Sequence, residues 1–94
     1  MAAWFYKLRL RSSGLYCGVT RHRHQRYYAH FSGRGCRTTR LDPPIAVVLE
    51  EEFESFQQAF RREQQVKRWS RAKKESLIAR DIVALRQLAK AVRR

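Results

Sequence analysis

The sequence predicts a small α/β domain, a three-stranded and mostly antiparallel sheet flanked by helices in the order β-β-α-β-α-α. Three observations lead there. Two short segments rich in aromatic and alternating residues are joined by Ser12-Ser13-Gly14, a β-branched run follows Pro43-Pro44, and two later stretches carry apolar residues at helical spacing. A chain of 94 residues has material for one modest core, so residues 1–94 are expected to form a single domain.

Trp4-Phe5-Tyr6-Lys7-Leu8-Arg9-Leu10 suits a strand, Ser12-Ser13-Gly14 a turn, and Leu15 to Thr20 the return strand. The resulting hairpin carries one tyrosine on each strand, Tyr6 and Tyr16. A short helix follows in which Tyr27 and Phe31, four apart, are expected to share the inward face, with Gly33 and Gly35 ending it. Arg26 and His30 are also four apart and project together from a neighbouring stripe. Ile45-Ala46-Val47-Val48-Leu49 is apolar on both faces and is therefore expected to be the central strand of the sheet.

Ser55 followed three residues later by Gln58 reads as a capping box. The helix it opens places Phe56, Ala59, Phe60, Val66 and Trp69 on a buried face. Glu63 falls within that stripe, where a carboxylate costs stability unless it has a partner. From Ser70 onward Leu77, Asp81, Leu85, Leu88 and Val92 continue a helical stripe, giving a basic C-terminal helix over about residues 71–92.

Charge narrows the class of partner. Lys and Arg number 21 against 8 Asp and Glu, a formal net charge of +13. That balance fits a polyanion, most readily nucleic acid. Residues 1–41 hold no acid, whereas Asp42, Glu50, Glu51, Glu52 and Glu54 arrive together, most of them expected at the solvent face. Neither a bilayer-length apolar run nor a signal-like N-terminal stretch is present, so a cytoplasmic protein, nucleoid-associated in a bacterium, is expected. Cys17 and Cys36 are expected as free thiols, and with His22 and His24 they match no recurrent zinc spacing.

Taken singly, the polar residues have plain structural uses. Tyr6 and Tyr16 suit cross-strand packing, Glu63 half of a partly buried ion pair, Arg26 a phosphate contact or a solvated side chain, and His30 a structural hydrogen bond. Their order along the chain adds to this. Trp4-Phe5-Tyr6 followed by Tyr16-Cys17-Gly18 resembles the paired GIY and YIG elements of the GIY-YIG nuclease family. Arg26-Tyr27-Tyr28-Ala29-His30 resembles that family's arginine and histidine helix, and the stretch from Ala59 through Glu63 to Arg68 its glutamate helix. Gly14-Leu15-Tyr16, Thr39-Arg40 and the run from Lys67 to Glu75 are similar to the small single-domain, YhbQ-like branch, and the likeness covers nearly all of residues 4–78.

The resemblance implies a metal-dependent endonuclease acting on DNA, structure-selective or weakly sequence-selective. It implies one divalent metal, Mg2+ or Mn2+, held by Glu63 together with water and phosphate oxygens, and Tyr16 near the attacking water as its proton acceptor, the basic surroundings favouring a phenolate. Arg26 would donate to the non-bridging oxygens, and His30 would relay a proton or orient Tyr6. Arg9, Arg23, Tyr28, Arg37, Arg40, Lys67, Arg71, Lys73 and Lys74 are the expected nucleic-acid-binding residues. The alternative reading is a non-catalytic nucleic-acid-binding module of the same fold. Membrane binding through the basic helix is set aside, because packing on the domain accounts better for its apolar stripe.

Overall fold

Both faces of the fold are built on one strand, β1 (Ala3–Leu10), which pairs antiparallel with β2 (Leu15–Thr20) on one side and with β3 (Pro44–Phe53) on the other. The computed structural model describes residues 1–80. Between β2 and β3 lie α1 (Arg23–Phe31) and α2 (Arg37–Leu41); after β3 comes α3 (Phe56–Lys67), and residues 71–80 are again helical. This is the expected antiparallel α/β sheet with one addition, since α2 is too short and too polar to show a helical stripe. The expected C-terminal helix beyond residue 80, with Asp81, Leu85, Leu88 and Val92, lies outside the described residues.

The twofold alternation of β1 divides the core. Tyr6, Leu8 and Leu10 face α1 and gather Tyr16, Tyr27 and Val47. Phe5 points to the other face, where it packs with Leu49, Val66 and Ile78 and is flanked by Val19, Val48 and Trp69. Burial of side chains of this size contributes about 1.5–3 kcal/mol each. Lys7 shares the second face and is 1% exposed, which a basic residue in a charge-rich strand does not announce.

β3 is an edge strand, against the expectation that its apolar run made it central. The run serves both faces for another reason. The register shifts between Lys7 and Leu8, so Lys7 pairs with Leu49 but Leu8 with Val47, and Val48 is the extra residue of a bulge. Val47 then joins the α1 face while Val48 and Leu49 join the α3 face, and Ile45 is 62% exposed. The inward stripe of α1 also differs from expectation. Tyr27 and His30 turn inward and Phe31 outward, because Tyr27 meets the Tyr6 ring edge-on at 5.2 Å and His30 meets its hydroxyl. On α3, Ala59 and Val66 are buried, whereas Phe56 and Phe60 are exposed.

Helix ends and turns follow local chemistry. Ser55 Oγ accepts from the Gln58 amide at 3.2 Å, and Gln58 reaches back to the Glu54 amide at 3.1 Å, a capping box displaced by one residue on its return side. Gly33, at φ 80°, ends α1 and lets the Arg34 amide reach the Ala29 carbonyl at 2.8 Å. The mid-chain acids act as struts between elements. Asp42 accepts from the amide and hydroxyl of Ser12 in the hairpin turn. Glu50 pairs with Arg23 of α1 at 2.7 Å, and Glu51 with Arg62 of α3 at 2.8 Å. Downstream, Glu75 grips Arg9 of β1 through two contacts of 2.6 Å, tying the helical residues 71–80 to the central strand.

Leu8→Ala should cost about 2–5 kcal/mol, because Leu8 is fully buried. Ile45→Ala should stay within about 0.5 kcal/mol. Urea unfolding of both variants checks the edge position of β3; equal losses would place Ile45 in the core.

Candidate active site

A cleft of about 350 Å³ opens over the β2 edge of the sheet, and four elements line it: β1 with Tyr6, β2 with Tyr16 and Gly18, α1 with Arg26, and α3 with Glu63 and Lys67. Tyr6 is held at the cleft floor from two sides. Gly18 lies opposite it in the β1–β2 register, and a Cβ built on Gly18 would lie 2.5 Å from the Tyr6 hydroxyl. Only a glycine leaves room for that phenol. On the other side the Tyr6 hydroxyl is 2.9 Å from His30 Nε2, and His30 Nδ1 is 2.9 Å from Thr39 Oγ1. The Thr39 hydroxyl in turn lies 3.2 Å from the Cys36 carbonyl oxygen.

The sequence-derived residues therefore occupy unequal positions. Tyr6, Tyr16, Arg26 and Glu63 line the cleft; His30 stands behind Tyr6 and is 1% exposed. The Tyr16 ring meets His30 edge-on with centroids 5.0 Å apart. Glu63 is half-buried between Ala59 and Val66, accepts a 3.3 Å bond from its neighbour Gln64, and belongs to none of the ion pairs among the described residues. The partly buried ion pair that would account for it structurally is thus missing there.

Electrostatics in the cleft follow from burial and from Arg26. Burial raises the Tyr6 phenol above its ordinary value, and the Arg26 guanidinium beside it opposes that rise. Tyr16 is raised strongly, by burial and then by its contact with Cys36. Its contact with Tyr6 holds the Arg26 charge more firmly in place. His30 is pushed down by burial and by Arg26, so it is neutral at pH 7. Burial works against the Cys36 thiolate, but contacts from Tyr16, Thr39 and the Thr38 amide outweigh it and bring the thiol down to about 7.

Metal-ligand chemistry at this site is sparse. Among the described residues, no group of three His, Cys, Asp or Glu converges. Glu63 is a lone hard carboxylate with unoccupied lone pairs at an open cleft, a donor that suits an oxygen-seeking divalent ion completing its shell from water and phosphate. Cys17 and Cys36 are free.

Of the remaining expected nucleic-acid contacts, Lys67 lines the cleft. Arg37 and Arg40 project from α2 and Tyr28, 69% exposed, from α1. Arg9 and Arg23 are instead tied to Glu75 and Glu50, with Arg23 also stacked on Trp4 at 4.8 Å. Arg71 bonds the Ser13 carbonyl at 2.5 Å, Lys73 lies 4.3 Å over the Trp69 ring, and Lys74 is half-buried. Sequence reasoning named Thr39 within the family likeness, Cys36 as a free thiol and Gly35 as a helix end, but missed that the three come together behind His30, through a turn and a five-residue helix with no periodicity to read. It also missed Phe56 and Phe60, which line the cleft.

Comparison with known proteins fits this geometry. The model of the GIY-YIG catalytic domain matches residues 2–76. The chain is 38% identical over 76 residues to a UPF0213 protein of Natronomonas pharaonis, covering 81% of this chain and 89% of that protein. It is 30% identical to a UPF0213 protein of Staphylococcus saprophyticus, covering 81% and 93%. The solution NMR structure of a UPF0213 protein from Bacillus halodurans superposes with a TM-score of 0.56 at 35% identity, covering 84% of each chain.

Gly18→Ala is expected to drive the Tyr6 ring off His30 and to cost about 1–3 kcal/mol through overpacking. Denaturant unfolding measures the loss, and a near-UV tyrosine signal unchanged from wild type would contradict the displacement.

Proposed function

Because the chain belongs to the GIY-YIG catalytic-domain family, we propose that it is a divalent-metal-dependent endonuclease that hydrolyses phosphodiester bonds in DNA, with structure selectivity or weak sequence selectivity. One observation carries the proposal: two tyrosines, an arginine and a carboxylate with no ion-pair partner among the described residues, from four separate elements, line one cleft. Ordinary core packing accounts for the tyrosines but has no use for the arginine and the carboxylate beside them, since charged groups are costly to desolvate.

Each residue has a task in the reaction. Glu63 would hold the metal, and Mg2+ or Mn2+, when bound, would supply charge stabilisation to the phosphate and the leaving oxygen. Arg26 donates its planar fork to the non-bridging oxygens as negative charge builds there. Tyr6 accepts a proton from the attacking water while passing its own hydroxyl proton to neutral His30. The resulting hydroxide forms the new P–O bond, the bond to the leaving oxygen breaks, and that oxygen is protonated from solvent. Tyr16, the proton acceptor that the resemblance implied, is instead raised strongly by burial, its Cys36 contact adding to the rise, so it keeps its proton and orients the water. The roles of the two tyrosines are thus divided by what lies behind them, His30 for Tyr6 and Cys36 for Tyr16. Lys67, Arg37, Arg40 and Tyr28 contact the DNA backbone or its bases, and contacts of this kind favour shape over sequence.

Purified protein incubated with supercoiled plasmid and labelled branched or single-stranded DNA should cleave with Mg2+ or Mn2+ and stop with chelator. Glu63→Ala should abolish cleavage, and Arg26→Lys should lower kcat by about a hundredfold. DNA binding without cleavage in any metal would point instead to the non-catalytic module.

His30 must be neutral to take the Tyr6 proton, so kcat should fall as pH drops below the 6.5 of an ordinary histidine and through the lower value of the folded protein. Stability follows the same sign: the unfolded chain takes up the proton first, so the contribution is complete above 6.5 and lost as pH falls. Tyr6, Tyr16 and Arg26 face His30 from β1, β2 and α1, and Cys36, at the start of α2, lies behind it through Thr39. Because Cys36 titrates at about 7, the profile should be measured in wild type and in Cys36→Ser. An acid limb that disappears in Cys36→Ser would assign it to the thiol and remove His30 from the reaction.

A further inference from the structure

Thr39 sits near the middle of α2, 1% exposed, with no solvent contact to explain its hydroxyl. Its possible bonds can be counted. A threonine hydroxyl has one proton to give, and a carbonyl oxygen can only accept. The 3.2 Å contact with the Cys36 carbonyl therefore uses the Thr39 proton, which the Cys36 sulfur, at 3.8 Å, can share. Toward His30 Nδ1, at 2.9 Å, Thr39 then presents a lone pair, so Nδ1 carries the ring proton. Neutral imidazole has one such proton, which leaves Nε2 bare to accept from the Tyr6 hydroxyl at 2.9 Å.

The opposite assignment fails on the same count. If Thr39 donated to Nδ1, the ring proton would sit on Nε2 and point at the Tyr6 oxygen. Of the other polar groups near Tyr6, the Arg26 guanidinium has donors alone, and the Cys17 and Cys36 thiols and the Tyr16 hydroxyl make no hydrogen bond to the Tyr6 hydroxyl among the described residues. The hydroxyl proton of a phenol that is 1% exposed would then have no acceptor among these groups.

We infer that Thr39 is a positioning residue that fixes the His30 tautomer and thereby turns the Tyr6 proton away from the cleft and the Tyr6 lone pairs toward it. The inference rests on the reading of Tyr6 as the proton acceptor. It also explains Gly35: any Cβ there would collide with His30 Nδ1 and lie 2.8 Å from Thr39 Oγ1, wedging the pair apart. The turn from Gly33 to Cys36 and the short α2 thus serve to bring one hydroxyl behind the histidine.

The test combines a spectroscopic readout with kinetics on wild type, Thr39→Val, which keeps the shape and loses the hydroxyl, and Thr39→Ser, which keeps the hydroxyl. Long-range 15N–1H correlation of the His30 ring at neutral pH should place the proton on Nδ1 in wild type and Thr39→Ser, and spread it over both nitrogens in Thr39→Val. With Mg2+ and a DNA substrate, Thr39→Val should lower kcat by about tenfold or more with little change in KM, and Thr39→Ser should recover it. A wild-type ring protonated on Nε2 overturns the inference without any variant, as does a Thr39→Val protein with the wild-type tautomer and kcat. If wild type cuts no DNA, the nuclease reading fails, while the ring spectrum still decides what Thr39 does.

Discussion

The buried contact between Tyr6 and His30 is the constraint from which the rest of the molecule follows. A phenol hydroxyl and an imidazole nitrogen withdrawn from water must satisfy each other, and at 2.9 Å they do. That single bond fixes how α1 lies on the sheet, which in turn carries Arg26 to the cleft. It also demands glycine at position 18, because a side chain there would meet the Tyr6 phenol that lies across it. Behind His30 the requirement passes to Thr39, and so to α2 and the turn that places it. One residue at the middle of the central strand thereby dictates two loops and a helix.

The surplus of positive charge is distributed by the same economy. The chain spends several of its few acids as struts: Asp42 on the hairpin turn, Glu50 and Glu51 on α1 and α3, Glu75 on β1. Exposed pairs of this kind contribute little energy each, but they set orientation, and they consume Arg9, Arg23 and Arg62. Glu63 is the exception that stands out, a half-buried carboxylate in a strongly basic protein with no cation paired to it among the described residues. A divalent ion brought with a phosphate would complete what the protein leaves open.

Much of this was legible in the sequence. The hairpin, its two tyrosines, the capping box at Ser55 and the odd position of Glu63 each follow from spacing or from residue type, and the antiparallel α/β sheet follows from their order. What was not legible depended on distances between elements. The bulge at Val48 makes an edge strand look central, because it sends neighbouring apolar residues to two faces without a break in the run. Phe56 and Phe60 match a buried stripe yet line a cleft, since periodicity reports a face and not what lies opposite it. Likewise Thr39 was read only as part of a family likeness, and its bond to His30, nine residues away in sequence and 2.9 Å away in space, has no periodicity to announce it.

The central claim is that the cleft beside Tyr6 is where a divalent ion and a phosphodiester meet, with Glu63 as the protein's ligand. Mn2+ is paramagnetic and broadens nearby amide signals, so titrating it into 15N-labelled protein locates the ion directly. The account predicts broadening centred on Glu63 and reaching Gly18 and Lys67, abolished in Glu63→Gln. Broadening centred on the exposed Glu52 and Glu54, or left unchanged by Glu63→Gln, would contradict it.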